Sequence, residues 1–508
     1  MTINSQKIGL RREMRMSDFS PETIGDNRLV TAEDRKSFAS PFDVSKSAVR
    51  RQQITPRYGE AVEPVAVNPE SGERFSARQL VASPSSFASF KPVNRVQEKF
   101  AKIEEAEKEE RHRSSKNGVS SRSMLSRIDT AFENLNLETP MSFQFGPDYV
   151  RALAPYQGGK PISEVAREFG LDERTIVKLA SNENPLGISP SAKQAMQSAI
   201  ADIGRYPDAN GFELKAAVTA KYGVPSDWIT LGNGSNDILE LAARALVEPG
   251  QAIMYSQYSF VVYALAAQAI GARAIVVPAA GHGHDLAGMT TALTADTKVV
   301  FIANPNNPTG TFVPGKDIEA FLGKVPPDVV VVLDEAYTEY LPKEARYDSI
   351  GMVRRYPNLL VTRTLSKAYG LAGLRIGFGI AQPAITDLLN RIRQPFNVNS
   401  MAQAGATAAL GDTDFLDRTA AMNTAGYRQL TEAFSEMGLE YIPSFGNFVM
   451  VRVGDDDEAG MRTNLALLKR GIIVRPVTNY GLPQWLRISI GLPEENTAFI
   501  EALKHVLP

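Results

Sequence analysis

The 508-residue chain is 43% hydrophobic and 8% aromatic, enough to bury large cores in more than one domain. Its 55 Lys and Arg stand against 57 Asp and Glu for a formal charge of -2, so nothing global favours nucleic acid or an anionic membrane. Cysteine is absent, which excludes disulfides, thiolate nucleophiles, iron–sulfur clusters and cysteine-bound zinc.

The amino-terminal stretch "MTINSQKIGLRREMRMSDF" lacks the apolar segment of a secretory signal, and no run approaches the length of a membrane span, so the cytoplasm is the expected compartment. Residues 1–140 are rich in Ser, Arg, Glu and Pro and poor in periodic apolar runs, and they read as a disordered, low-order extension. Within them Val96 to Arg113 carries opposite charges at helical spacing, which predicts a solvated helix rather than a coiled coil. Asp18, Glu22, Asp26, Glu33 and Asp34 argue against an organelle transit segment.

From Met141 onward helical patterns alternate with short β-branched runs. "DWITLG", "QAIMYS", "ARAIVV", "TKVVFIAN", "DVVVVLDEA", "NLLVTRT" and "LRIGFGI" read as buried strands, separated by helices such as "NDILELAARALV" and "KDIEAFLGKV". This order predicts an α/β fold with a mostly parallel sheet, ligands lying near the carboxyl ends of the strands. Beyond Arg391, "NFVMVRV", "GIIVRPV" and "LRISIG" predict a smaller α/β lobe. The expected division is 141–200 as an arm and part of the small lobe, 201–390 as the large domain and 391–508 as the small one. Of the four histidines, His282 and His284 in "HGHDL" lie in a glycine-rich stretch that reads as a solvated loop, so no metal site is expected.

The polar residues at the strand ends carry the chemistry. "NPNNPTG" taken alone is turn chemistry. Asp334, however, closes four valines and a leucine, where an unpaired carboxylate is costly, so a cationic partner is expected. Lys367 and Arg375 follow the next strand; taken alone, they also suit a snorkelling amine and an edge charge. "GNGSNDILEL" joins a strand to a helix through a glycine-bearing turn, so the amides around Ser235 and Asn236 open a helix amino terminus suited to phosphate. An anion cradle, a carboxylate, an amine and a guanidinium together describe a site for a phosphorylated cationic heterocycle.

In "KLASNENPLG", "RYPDANG", "GNGSNDILEL", "NPNNPTG", "DEAY", "TLSKAYGLAGLRIG", "RQPFNVNS" and "LRISIGLPEEN", in that order, the chain from Tyr149 to Leu507 resembles the fold type I pyridoxal-phosphate aminotransferases, and within them the histidinol-phosphate aminotransferases. The resemblance implies pyridoxal 5′-phosphate as cofactor and assigns residues. Lys367 would hold the cofactor covalently and carry the proton, Asp334 would pair with the ring nitrogen, and Asn307 and Tyr337 would meet the ring's 3′ oxygen. Ser235, Asn236, Ser366 and Arg375 would hold the phosphate, and Phe260 would stack on the ring. Tyr206 would reach the phosphate of a neighbouring subunit's cofactor, which implies a homodimer with shared sites. Arg487 and Arg475 would meet the substrate's anionic group. The implied reaction is amino transfer between L-histidinol phosphate and 2-oxoglutarate, giving imidazole acetol phosphate and glutamate in histidine biosynthesis.

Three other functions share part of this pattern: an aromatic or broad-range aminotransferase, a phosphothreonine-type decarboxylase, and a transcription regulator with an aminotransferase-like domain. The last would need a compact helix-turn-helix with a basic recognition helix, and the extension has none. The extension is also where the chain departs from the family, whose members begin near "FGPDYVRALAPYQ".

Overall fold

The structure, a computed structural model, describes residues 145–156 and 158–507 and a short antiparallel pair, β1 (Ala66–Val67) with β2 (Arg74–Phe75). The rest of the 1–140 extension, including the helix expected over Val96 to Arg113, lies outside the described residues. The chain divides into two units at Met141 and Ser142, and the described residues from 145 onward belong to the second.

In the larger unit, β3 (Val177–Lys178) precedes a seven-stranded sheet. Its strands are β4 (Ile229–Gly232), β5 (Ala252–Ser256), β6 (Arg273–Val277), β7 (Thr297–Ala303), β8 (Val330–Asp334), β9 (Leu359–Thr364) and β10 (Gly377–Ile380), in the order β4-β10-β9-β8-β7-β5-β6. Pairings among β5 to β9 are parallel, and β10 runs antiparallel to both β4 and β9. That reversal decides where the site lies. The carboxyl ends of β4, β7, β8 and β9 and the amino end of β10 share one edge, with Gly377 opposite both Gly232 and Thr364.

Each central strand is apolar on both faces because helices cover both. Val331, Leu333, Leu359 and Val361 join one core; Val330, Val332, Leu360 and Phe301 join the other, with the helices Ser235–Leu246 and Val261–Ala269. The period of two carries beyond the apolar run, so Asp334 falls on the Val332 side and Glu335 on the opposite one. There Glu335 pairs with Arg363 at 2.6 Å and accepts from Ser349 at 2.8 Å. One strand departs from expectation: "ARAIVV" is not a buried strand, because β6 is the edge of the sheet and Val276 is left 49% exposed.

A second, four-stranded antiparallel sheet has the order β11-β12-β15-β14, made of β11 (Tyr441–Ile442), β12 (Phe448–Arg452), β14 (Arg475–Pro476) and β15 (Trp485–Ser489). The run "GIIVRPV" is split, its first part forming β13 (Ile472–Ile473), which pairs in parallel with β3. The chain following β3 is tied to the small sheet, with Ser489 N donating to Leu179 O at 2.8 Å. Among the described residues no helix is long and apolar enough to cross a membrane.

Candidate active site

A cavity of about 200 Å³ opens at the shared strand edge and is lined by Ser235, Asn236, Phe260, Asn307, Asp334, Tyr337, Ser366, Lys367, Arg375, Arg475 and Arg487. Of the residues singled out in the sequence, Tyr206 alone stands apart. It is 83% exposed and stacks on Phe396 with ring centroids 4.7 Å apart.

The amino end of the helix Ser235–Leu246 forms one end of the cavity. Gly234 precedes it at φ +85°, and a Cβ there would stand 2.5 Å from Nη2 of Arg375, so only glycine lets the guanidinium lie against the turn. A Cβ on Gly377 would likewise run into the backbone nitrogen of Ser235. Arg375 Nη1 donates to the Ser366 hydroxyl at 3.3 Å. A guanidinium, hydroxyls and a helix amino terminus therefore meet at one end of the cavity, while the first-turn Asp237 is occupied by Asn233 N and Asn397, an arrangement that suits a phosphate group.

Asp334, 5% exposed, accepts from the Tyr263 hydroxyl at 2.8 Å and from the Thr362 hydroxyl at 3.0 Å. Burial pushes its carboxyl up, and those two hydrogen bonds oppose the shift. The expected cationic side chain is not there: no Lys or Arg forms an ion pair with Asp334 among the described residues, because the cations of this edge face other parts of the cavity. A buried carboxylate left without a cation suits a positively charged ligand atom.

Lys367 Nζ donates to the carbonyl of Ser181 at 3.0 Å and sits 6.0 Å from the Tyr337 ring centroid. Burial, with Arg487 adding to it, lowers its pKa to about 7. A lysine at its ordinary pKa has fewer than about one neutral amine in a thousand at pH 7, whereas Lys367 is about half neutral there and so nucleophilic. The Tyr337 hydroxyl accepts from Asn182 Nδ2 at 3.0 Å, and burial raises its pKa to about 12. Asn182 adopts φ +54° and is anchored through its backbone nitrogen to the Ser489 hydroxyl at 2.8 Å.

At the other end Arg475 and Arg487 lie directly opposite each other across β14 and β15, so both side chains point from the same face. Arg487 is 7% exposed, donating to Asn307 Oδ1 at 2.5 Å and to the Ala180 carbonyl at 3.0 Å, while its Nε has no partner among the described residues. Arg475 stacks over Tyr156 at 5.9 Å. Like charges facing each other in a sheet are unfavourable, and an anion between them relieves that.

Tyr263, Thr362, Asn182, Tyr156 and Tyr480 are site residues that the sequence reading missed. Tyr263 carried a signal, being the single hydroxyl on the apolar helix "VVYALAAQA". The histidine loop also differs from expectation. His284 is only partly exposed, its Nε2 2.8 Å from the Ala303 carbonyl, and His282 lies 5.9 Å from Tyr258 and 5.6 Å from Trp485, because the loop folds back over the end of β7. Among the described residues no group of three His, Cys, Asp or Glu could hold a metal ion.

The chain belongs to the aminotransferase class I and II family, which matches residues 174–503. More narrowly, it is 71% identical over 363 residues to histidinol-phosphate aminotransferase 1 of Cupriavidus pinatubonensis, covering 72% of this chain and 96% of the relative. It is also 71% identical over 367 residues to histidinol-phosphate aminotransferase 2 of Ralstonia nicotianae, covering 72% and 98%. The crystal structure of the Sinorhizobium meliloti histidinol-phosphate aminotransferase in complex with pyridoxal 5′-phosphate superposes with a TM-score of 0.66 at 29% identity, over 72% of this chain and 98% of that one.

Proposed function

We propose that the protein transfers the amino group of L-histidinol phosphate to 2-oxoglutarate, with pyridoxal 5′-phosphate as cofactor. The observation that carries this reading is the pair Arg475 and Arg487, set opposite each other in the cavity that also holds Lys367 and Asp334. Two guanidiniums offer a phosphate monoester more charge-assisted bonds than one carboxylate can use.

The cavity fits the cofactor on its own residues: a buried carboxylate with no ion-paired cation among the described residues for the ring nitrogen, a glycine-lined cradle with Arg375 for the phosphate, and an amine of lowered pKa. Pyridoxal phosphate supplies a carbonyl that reacts with amines and a ring that accepts electrons. Ser235, Asn236, Ser366 and Arg375 would hold the phosphate, Asp334 would keep the ring nitrogen protonated, Phe260 would cover the ring, and Asn307 and Tyr337 would meet the 3′ oxygen. Lys367 Nζ would hold the cofactor and, as the amine of lowered pKa in the cavity, would serve as the group that moves the proton. The Ser181 carbonyl, 3.0 Å away, steadies the amine.

In the same reading residues 201–390 are the cofactor-binding domain, 391–508 the small domain and 141–200 the arm bringing Ser181 and Asn182 to Lys367 and Tyr337. The protein acts as a cytoplasmic homodimer, its phosphorylated substrate and 2-oxoglutarate being intracellular metabolites. Exposed Tyr206, with Ile203 at 60% and Phe212 at 76%, supports a surface covered by a second copy whose cofactor Tyr206 reaches.

The reading is tested by measuring kcat/KM side by side for histidinol phosphate, phenylalanine, tyrosine and phosphothreonine. Histidinol phosphate should lead; equal turnover of phenylalanine points to an aromatic aminotransferase, and carbon dioxide from phosphothreonine to a decarboxylase. The cradle is tested by Gly377→Ala, whose added methyl overpacks the helix start at a cost of about 1–3 kcal/mol. The apoprotein should bind pyridoxal phosphate roughly five- to a hundredfold more weakly, yet bind phosphate-free pyridoxal about as well as before. An equal loss for both compounds places the damage outside the cradle.

A further inference from the structure

We propose that Tyr263 and Thr362 are positioning residues that fix the Asp334 carboxylate, by one hydrogen bond to each oxygen, so that its remaining lone pairs face a protonated ring nitrogen in the cavity. The inference rests on the reading that pyridoxal phosphate binds with its nitrogen towards Asp334. The family resemblance assigns Asp334 and says nothing of what holds it.

The two donors come from different elements, and the pleat brings them together. Thr362 lies opposite Asp334 in the parallel register of β8 and β9, on the Leu360 side of the sheet. Tyr263 belongs to the helix Val261–Ala269, which covers that face. Its ring is wholly buried and lies flat on Phe301, centroids 4.6 Å apart and planes 4° apart, with Phe260 edge-on at 6.0 Å. A phenylalanine would make those ring contacts equally well, so packing accounts for the ring and only Asp334 accounts for the hydroxyl. Burial together with the neighbouring Asp334 charge pushes the Tyr263 hydroxyl far up, so it stays a neutral donor. Burial pushes the Asp334 carboxyl up, and these two hydroxyls, one on each oxygen, oppose that shift and fix the direction of the carboxylate.

The test compares binding to apoprotein of pyridoxal phosphate and of its deaza analogue, in which a C–H replaces the ring nitrogen, for wild type, Tyr263→Phe and Thr362→Val. Circular dichroism and melting first establish that each variant is folded, and either variant alone suffices if the other is not. Wild type should prefer pyridoxal phosphate. Each variant should narrow that preference by about tenfold, the scale of a lost hydrogen bond to a charged group, through weaker binding of pyridoxal phosphate with the analogue nearly unchanged. If wild type discriminates and a folded variant discriminates equally well, that residue's positioning role is overturned while the cofactor reading stands. If wild type itself does not discriminate, the orientation of the ring nitrogen towards Asp334 is wrong and the inference falls with it.

Discussion

A Lys367→Ala variant should lose turnover by about a thousandfold or more, and borohydride should fix no cofactor to its chain, because the amine that binds the cofactor and the group that carries the proton vanish together. Cofactor attached to the variant by borohydride, in protein freed of external amines, would mean that another lysine holds it. The lowered pKa adds a pH test on wild type. Since only the neutral amine attacks a carbonyl, the rate at which apoprotein captures pyridoxal phosphate should rise through about pH 7 and level off above it. A rise centred near the ordinary lysine value would contradict the assigned environment. The same shift bears on stability. The folded pKa lies below the unfolded one, so between about pH 7 and the ordinary lysine value of 10.5 the unfolded chain binds more protons and apoprotein stability increases with pH. Lys367→Ala should remove that part of the slope.

Arg487→Ala should lower kcat/KM for histidinol phosphate by at least tenfold, since removing one partner of a desolvated anion contact costs about 2–5 kcal/mol. The side chain is buried, oriented by Asn307 and the Ala180 carbonyl, and set opposite Arg475. Its removal also takes a hydrogen bond from Asn307, so cofactor binding should weaken, but less than substrate binding. Arg487→Lys keeps the charge without the planar fork and should recover only part of the loss. Weak cofactor binding with unchanged substrate kinetics would relocate Arg487 to the cofactor side of the cavity.

Much of the site was legible because a parallel sheet presents its polar residues where apolar runs stop. Asp334 after four valines, Lys367 and Arg375 after "NLLVTRT", and Ser235 after "DWITLG" all mark strand ends, and spacing along the chain locates them. What stayed hidden depended on which helix covers which face. Tyr263 is adjacent to nothing in sequence that suggests Asp334, 71 residues away, and Asn182 meets Tyr337 across 155 residues. The edge position of β6 and the folding back of the His284 loop are likewise properties of strand order, and β-branched composition does not encode order. The missing cation beside Asp334 has another cause. The rule that a buried charge needs a partner is sound, but sequence lists only the chain's own cations, and in the proposed function the partner of this carboxylate is a ligand.

The run "VVVVL" in β8 is nearly a repeat, and a repeat has no phase of its own: shifted by one residue, it would fill both cores almost as well. Phase has to be written elsewhere. It is written in the two acids that follow, Asp334 with two hydroxyls on one face and Glu335 with Arg363 and Ser349 on the other. Slipped by one place, each acid would turn to the opposite face, Asp334 away from its two hydroxyls and Glu335 away from Arg363 and Ser349. The ion pair on the face away from the chemistry thus works as a registration mark. Its distance from the cavity is the reason it can be read independently of any ligand, so the strand is already aligned when the site is empty.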